Sequence, residues 1–235
     1  MLLLAAIGFL TRLPLRLAFD GKTVARSARW FPLVGALLGG IYFGAARLLA
    51  PHFPPAATAV LVVALDAALT GAMHLDGLAD TADGFGGGRS RNDVLRIMRD
   101  HAIGSYGAVA VVLALALKIA LLDGGSFSGL VLAPVLGRWT AVLCGATQPY
   151  ARDDNGTGSP TRWMGRAELA IATLTAALAA AAFGWRGAAS AVLAATFAFI
   201  WAARCRKRLG GVTGDTLGAA VVAAECLTFL VFCVR

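Results

Sequence analysis

Asp76, Asp80 and Asp83 stand at i, i+4 and i+7 in the sequence His74-Leu-Asp76-Gly-Leu-Ala-Asp80-Thr-Ala-Asp83-Gly84. On a helix this spacing puts three carboxylates on one face. Like charges so placed repel one another, so the arrangement is costly unless something offsets it. A hard divalent cation does so, and Mg²⁺ bridging carboxylates to substrate phosphates is the usual case. The pattern therefore points to metal-assisted chemistry at phosphorus. The plainer reading is a solvated loop, because Asp76-Gly77 and Asp83-Gly84 are also turn signals.

The cluster belongs to a polar stretch, 71–107, that holds five aspartates, four arginines and two of the three histidines. Arg96 and Arg99 fall close together on a short helix predicted over 92–99, and a guanidinium offers paired donors to phosphate oxygens. Gly84 and Gly86 to Gly88 are expected to stop the aspartate helix and to give the backbone freedom to approach a phosphate. His74 lies on the opposite helix face, where it serves either substrate or core. Asp215 sits where the last helix begins and has two readings of equal weight, a helix cap or a fourth metal ligand. Glu225, about 15 Å further down that helix, reads as structural.

These residues must be positioned by a very apolar chain. Of 235 residues, 58% are hydrophobic and 14% charged, against about 25% charged in a soluble domain. Mean hydropathy is +0.73. The fold class is all-α: a polytopic integral membrane protein forming a single domain over 1–235. Long apolar runs exclude a β-barrel. Seven transmembrane helices are expected, over 31–50, 56–72, 106–122, 127–146, 168–183, 188–203 and 212–234. Residues 1–19 are apolar but broken by Arg12, Pro14 and Arg16, and read as an interfacial or re-entrant segment. Gly35/Gly39 and Gly40/Gly44 have the small-xxx-small spacing of close helix contacts.

The net charge is +8. The basic residues lie between apolar runs, so they report membrane orientation and not a nucleic-acid partner. With the N-terminus in the cytoplasm they concentrate on the cytoplasmic side, together with the aspartate cluster, the 148–166 loop and Asp215. Within that loop, 153–158 reads either as a lid or as exposed chain. Four scattered cysteines make no metal or redox spacing.

The aspartate motif resembles the signature of the cobalamin synthase (adenosylcobinamide-GDP ribazoletransferase) family. Four further blocks agree, in order: Phe9-Leu-Thr-Arg-Leu-Pro14, Phe31-Pro-Leu-Val-Gly35, Ile97-Met-Arg-Asp100 with Gly104-Ser-Tyr-Gly107, and Leu209-Gly-Gly-Val-Thr-Gly-Asp215-Thr-Leu-Gly218. The approach to the histidine, Gly71-Ala72-Met73, departs mildly from the family pattern.

The resemblance implies a Mg²⁺-dependent transferase of the cell inner membrane, with its active site on the cytoplasmic side. Such an enzyme joins adenosylcobinamide-GDP to α-ribazole or α-ribazole 5′-phosphate, releases GMP, and forms adenosylcobalamin or its 5′-phosphate. Asp76, Asp80, Asp83 and Asp215 are then the metal set, and the first three the catalytic carboxylates. His74, Arg96, Arg99 and Asp100 bind substrate. Asp83 is the candidate base for a free ribazole hydroxyl. Beyond these substrates the expected partner is the lipid bilayer, and self-association into a homo-oligomer is left open. Two rival readings are a CDP-alcohol phosphotransferase and a transporter using Asp66, Lys118, Arg138 and Glu225. The first lacks its expected arginine after Ala79, and the second gives no reason for stacked aspartates.

Overall fold

A computed structural model describes residues 1–15, 18–123, 127–152 and 159–234. The predicted lid at 153–158 lies outside these. The described residues form helices α1 (Leu2–Leu10), α2 (Gly21–Ser27), α3 (Phe31–Leu49), α4 (Pro55–Thr70), α5 (Met73–Gly87), α6 (Arg91–Ile97), α7 (Ser105–Asp123), α8 (Gly129–Thr147), α9 (Arg166–Ala181), α10 (Gly184–Leu209) and α11 (Gly214–Cys233). The chain is an all-α polytopic membrane protein. Five segments are long and apolar enough to cross a membrane: Gly21–Leu49, Ser105–Leu122, Gly129–Thr147, Gly184–Leu209 and Gly214–Cys233. The bent pair α4 and α5 makes up to six. All seven predicted spans appear as helices, but α9 has 16 residues and so falls below that length.

Helices α8 and α11 form the interior, and α7, α9 and α10 turn Val112, Leu174 and Phe199 outward. Such faces suit lipid. The contact between α3 and α8 rests on Gly35 and Gly39. A Cβ at either would lie within 3 Å of the α8 backbone at Pro134 or Val131. The second predicted glycine pair behaves differently, since Gly40 and Gly44 face open space.

Four charged residues meet inside this bundle. Lys118 of α7 donates to Glu225 of α11 at 2.5 Å and to Asp66 of α4 at 3.4 Å. Arg138 of α8 donates through Nη1 to Glu225, and the Tyr42 hydroxyl of α3 donates to Asp66 at 2.8 Å. Two cations, two carboxylates and the Tyr42 hydroxyl thus tie five helices. The space beside Lys118, Asp66 and Glu225 is only about 20 Å³, room for about one water. These three close on one another, which is a structural use and not the lining of a path.

The aspartate helix differs from the sequence expectation. It does not continue directly from α4. Gly71 and Ala72 both adopt positive φ, 65° and 56°, and the chain turns by 90°. Helix α5 then runs through Gly84 to Gly87, where Gly88 ends it. The glycines are packing positions: a Cβ on Gly84 would meet Met98 and one on Gly86 would meet Tyr106. At about 22 Å, α5 is too short to span a bilayer core of about 30 Å. It lies across the first turns of α11 and α7.

Glu225→Gln should expose how much the bundle depends on its ion network. It leaves two buried cations with one carboxylate, a defect worth about 3–5 kcal/mol. Denaturation of the purified protein in detergent should show a clearly lowered midpoint. An unchanged midpoint would remove the network from the stabilising core.

Candidate active site

Helix α5 carries Asp76, Asp80 and Asp83 as predicted, but their environments differ. Asp76 is exposed, Asp80 is half-buried and Asp83 is buried. Asp83 accepts from the Gly104 amide at 2.7 Å and from the Gly107 amide at 2.8 Å. These are amides of the first turn of α7, which have no carbonyl partner within their own helix. A carboxylate there also suits the positive end of the helix dipole. Asp83 is therefore a clamp between α5 and α7, with both oxygens engaged. The expectation that it serves as metal ligand and base meets this different arrangement.

Asp76 and Asp80 instead face Asp215 of α11. The contact that brings them together is Gly77, where a Cβ would lie 2.8 Å from the Asp215 carbonyl oxygen and 3.0 Å from its Cα. Of the two readings of Asp215, the cap fails. Thr213 is the N-cap of α11, accepting from the Thr216 amide at 3.2 Å. The Asp215 carboxylate is left to accept from Arg152 Nη2 at 2.8 Å. Arg152 reaches it because residues 149–151 pair with Val212 along the backbone: Ala151 N–H donates to Val212 at 2.8 Å and Val212 N–H to Pro149 at 2.9 Å. Sequence reasoning counted Arg152 only among the orienting charges. A pairing between segments sixty residues apart leaves no local signal.

Burial, and then the carboxylates of Asp215 and Asp76, push the Asp80 carboxyl up to about 6. The site thus has an excess of negative charge. Among the described residues no three His, Cys, Asp or Glu side chains form a ready-made metal cage. A Mg²⁺ that keeps waters and takes phosphate oxygens needs only one or two carboxylates. The oxygen-only donor set and its surplus charge fit such an ion.

On the other side of Arg152 an open cleft of about 590 Å³ is lined by Arg91, Arg96 and Arg99. Arginines and carboxylates thus adjoin through the Arg152–Asp215 pair. Asp100 is exposed and accepts from the Ala102 amide at 3.1 Å, a local turn. It is not among the described residues that line the cleft. His74 is buried at the start of α5, and burial, with Arg138 nearby, pushes its imidazole down to about 3, so it is neutral. It lines a second cavity of about 370 Å³, which opens beside Asp76 and Asp215 and reaches Arg138.

A surplus of carboxylates beside a surplus of arginines at one end of an apolar bundle suits a diphosphate substrate and its metal. Comparison with known proteins narrows this. The family model described as cobalamin-5-phosphate synthase matches residues 2–233. The chain belongs to this family. It is 43% identical over 224 residues to the adenosylcobinamide-GDP ribazoletransferase of Syntrophobacter fumaroxidans, covering 91% of this chain and 90% of that one. The protein of the same name from Ralstonia nicotianae is 41% identical, with 96% and 92% covered. That of Desulfitobacterium hafniense is 36% identical, with 96% and 93% covered. No solved structure matches.

The clamp role of Asp83 has a distinct signature. Asp83→Ala strands the buried Gly107 amide, at about 1–3 kcal/mol, and the part-buried Gly104 amide, and should lower the thermal midpoint by several degrees. Asp83→Asn retains an acceptor oxygen and should lose less. Neither should change the Mg²⁺ concentration that gives half-maximal turnover. A large rise in that concentration with an unchanged midpoint would return Asp83 to the metal set.

Proposed function

We propose that this protein joins adenosylcobinamide-GDP to α-ribazole or α-ribazole 5′-phosphate, releasing GMP and forming adenosylcobalamin or its 5′-phosphate. The observation that carries the reading, beside family membership, is the junction of Asp76, Asp80 and Asp215 with the arginine cleft through Arg152. In this reaction a ribose hydroxyl oxygen of the ribazole attacks the phosphorus attached to cobinamide, and the bond from that phosphorus to the GMP oxygen breaks. It is a hydroxyl away from the 5′ position, since the 5′-phosphate of the phosphorylated acceptor is retained in the product.

Asp76, Asp80 and Asp215 would hold Mg²⁺, whose charge offsets that of the diphosphate. Arg96, Arg99 and Arg152 orient the diphosphate, since guanidinium presents planar paired donors to its oxygens. Asp215 in turn fixes the Arg152 fork by accepting from Nη2. Negative charge develops on the departing GMP oxygens, so donors aimed there stabilise the transition state above the ground state. With either acceptor the attacking group is a ribose hydroxyl whose proton needs a base, and Asp83 does not suit the task because Gly104 and Gly107 hold its oxygens.

The site lies at the cytoplasmic face of the cell inner membrane in this reading. The concentration of basic residues around it supports that orientation. Seven crossings are proposed, with α4 and α9 as short ones and α1 at the membrane surface. The nine residues of α1 span about 13 Å, too few for a crossing.

Purified protein in lipid nanodiscs, given Mg²⁺, adenosylcobinamide-GDP and α-ribazole, should form adenosylcobalamin and GMP one for one. Asp76→Asn or Asp80→Asn should abolish product. Arg99→Lys keeps the charge but loses the fork, and should lower kcat by roughly 10- to 1000-fold while the α-ribazole KM barely moves. Release of GMP only when a lipid alcohol is supplied would overturn the assignment. An Arg99→Lys effect confined to the α-ribazole KM would move that residue out of the diphosphate site.

A further inference from the structure

The cavity of about 370 Å³ beside the carboxylates contains a feature that the phosphate chemistry does not use. Its wall is mostly apolar and includes Phe9, Phe31, Leu217 and Val221. Arg138 is set in that wall at 1% exposure. Its Nη1 donates to Glu225. Its Nε and Nη2 are buried and meet no acceptor among the described residues. Leaving a buried donor unmet costs about 1–3 kcal/mol, more for a charged group. A ligand atom that accepts there removes the cost.

Charge restricts what that atom is. Arg138 and Lys118 are balanced by Asp66 and Glu225. This group has no net charge for an anion to neutralise, so a phosphate brought beside it would add an uncompensated buried charge. A neutral acceptor, such as an unprotonated ring nitrogen, adds none. The apolar wall restricts the rest of the ligand. Guanine presents several N–H and C=O groups at its edge, and the wall would leave most of them unpaired. A methyl-substituted benzimidazole, the base of α-ribazole, presents hydrocarbon and a single accepting nitrogen.

Resting on the reaction proposed above, we infer that this cavity binds the base of α-ribazole, with Arg138 donating to its free ring nitrogen. The nucleoside then enters base first, and its ribose hydroxyls remain at the mouth beside Asp76 and Asp215. Arg138 selects the acceptor by a hydrogen bond, while the arginines of the other cleft hold the activated corrinoid. The two substrates approach the carboxylates from different cavities.

The test is direct binding to the full chain in nanodiscs, by equilibrium dialysis without Mg²⁺ or corrinoid. Two probes are compared: α-ribazole, and its indole counterpart in which the accepting nitrogen is replaced by C–H. The wild type should bind α-ribazole at least about 10-fold tighter, as expected for one hydrogen bond to a charged group. Arg138→Lys keeps a cation against Glu225 but loses the free Nε and Nη2 donors, and the ratio should fall to about one. Ala141→Phe fills the cavity without touching an ion pair. It should weaken both nucleosides at least about 10-fold and leave adenosylcobinamide-GDP binding unchanged. It keeps the question decidable if Arg138→Lys fails to fold. Equal wild-type affinity for the two nucleosides, or unchanged nucleoside binding by Ala141→Phe, would overturn the inference. A wild type that discriminates between the probes but forms no adenosylcobalamin contradicts the reaction and upholds the cavity assignment. One that turns over without discriminating does the reverse.

Discussion

The contact between Gly77 and the backbone of Asp215 is the constraint on which the site depends. No side chain fits there, since even a Cβ would lie 2.8 Å from the Asp215 carbonyl oxygen. Because the backbones approach so closely, the carboxylates of Asp215 on α11 and Asp76 on α5 both act on that of Asp80. Two further attachments fix α5 along its length. Asp83 grips the first turn of α7, and the bare face of Gly84 receives Met98 after α6. The 90° turn at Gly71 and Ala72 sets the direction. A continuous helix from α4 would carry these aspartates away from the first turn of α11, and Asp215 would have no partners from α5.

Two groups of charge occur in this apolar chain, and their balance separates their roles. Inside the bundle, Lys118 and Arg138 are matched by Asp66 and Glu225, and almost no free space is left beside Lys118, Asp66 and Glu225. Unpaired charges would be prohibitive at that depth. At the end of the bundle the charges are segregated, with carboxylates against one another on α5 and α11 and arginines collected in the neighbouring cleft. Segregation of this kind is unfavourable for the empty protein. It is what a bound diphosphate and its counter-ion would relieve. Arg138 links the two groups, because it closes the internal network with one nitrogen and keeps two others without acceptors among the described residues.

Much of this was legible in the sequence, and the limits have physical causes. Apolar runs of twenty residues in a membrane leave the backbone little choice but helix, so seven predicted spans appear as helices near their predicted places. The spacing of Gly35 and Gly39 was informative because α8 passes over that face, whereas the same spacing at Gly40 and Gly44 meets nothing. Periodicity cannot say which face has a neighbour. The aspartate spacing marked the candidate site but treated three carboxylates as equals. What distinguishes Asp83 is the start of α7, twenty residues later, and that is tertiary information. The break before α5 was hidden because Ala72 gives no warning of a left-handed conformation. The pairings of Arg152 and Arg138 were hidden for a related reason, since their partners lie 63 and 87 residues away.

The central claim is that Asp76, Asp80 and Asp215 act as one oxygen site for a divalent ion shared with substrate phosphates. Electron paramagnetic resonance of Mn²⁺, titrated into the full chain in nanodiscs, reads this directly. With adenosylcobinamide-GDP present, the account predicts saturable binding of Mn²⁺ that Mg²⁺ displaces, together with line broadening from phosphate oxygens labelled with ¹⁷O. Replacing Asp215 by Asn should weaken that binding at least about 10-fold, since one of its few carboxylates is lost. Mn²⁺ binding of undiminished strength in that variant, or a spectrum unaffected by the labelled phosphate, would contradict the account.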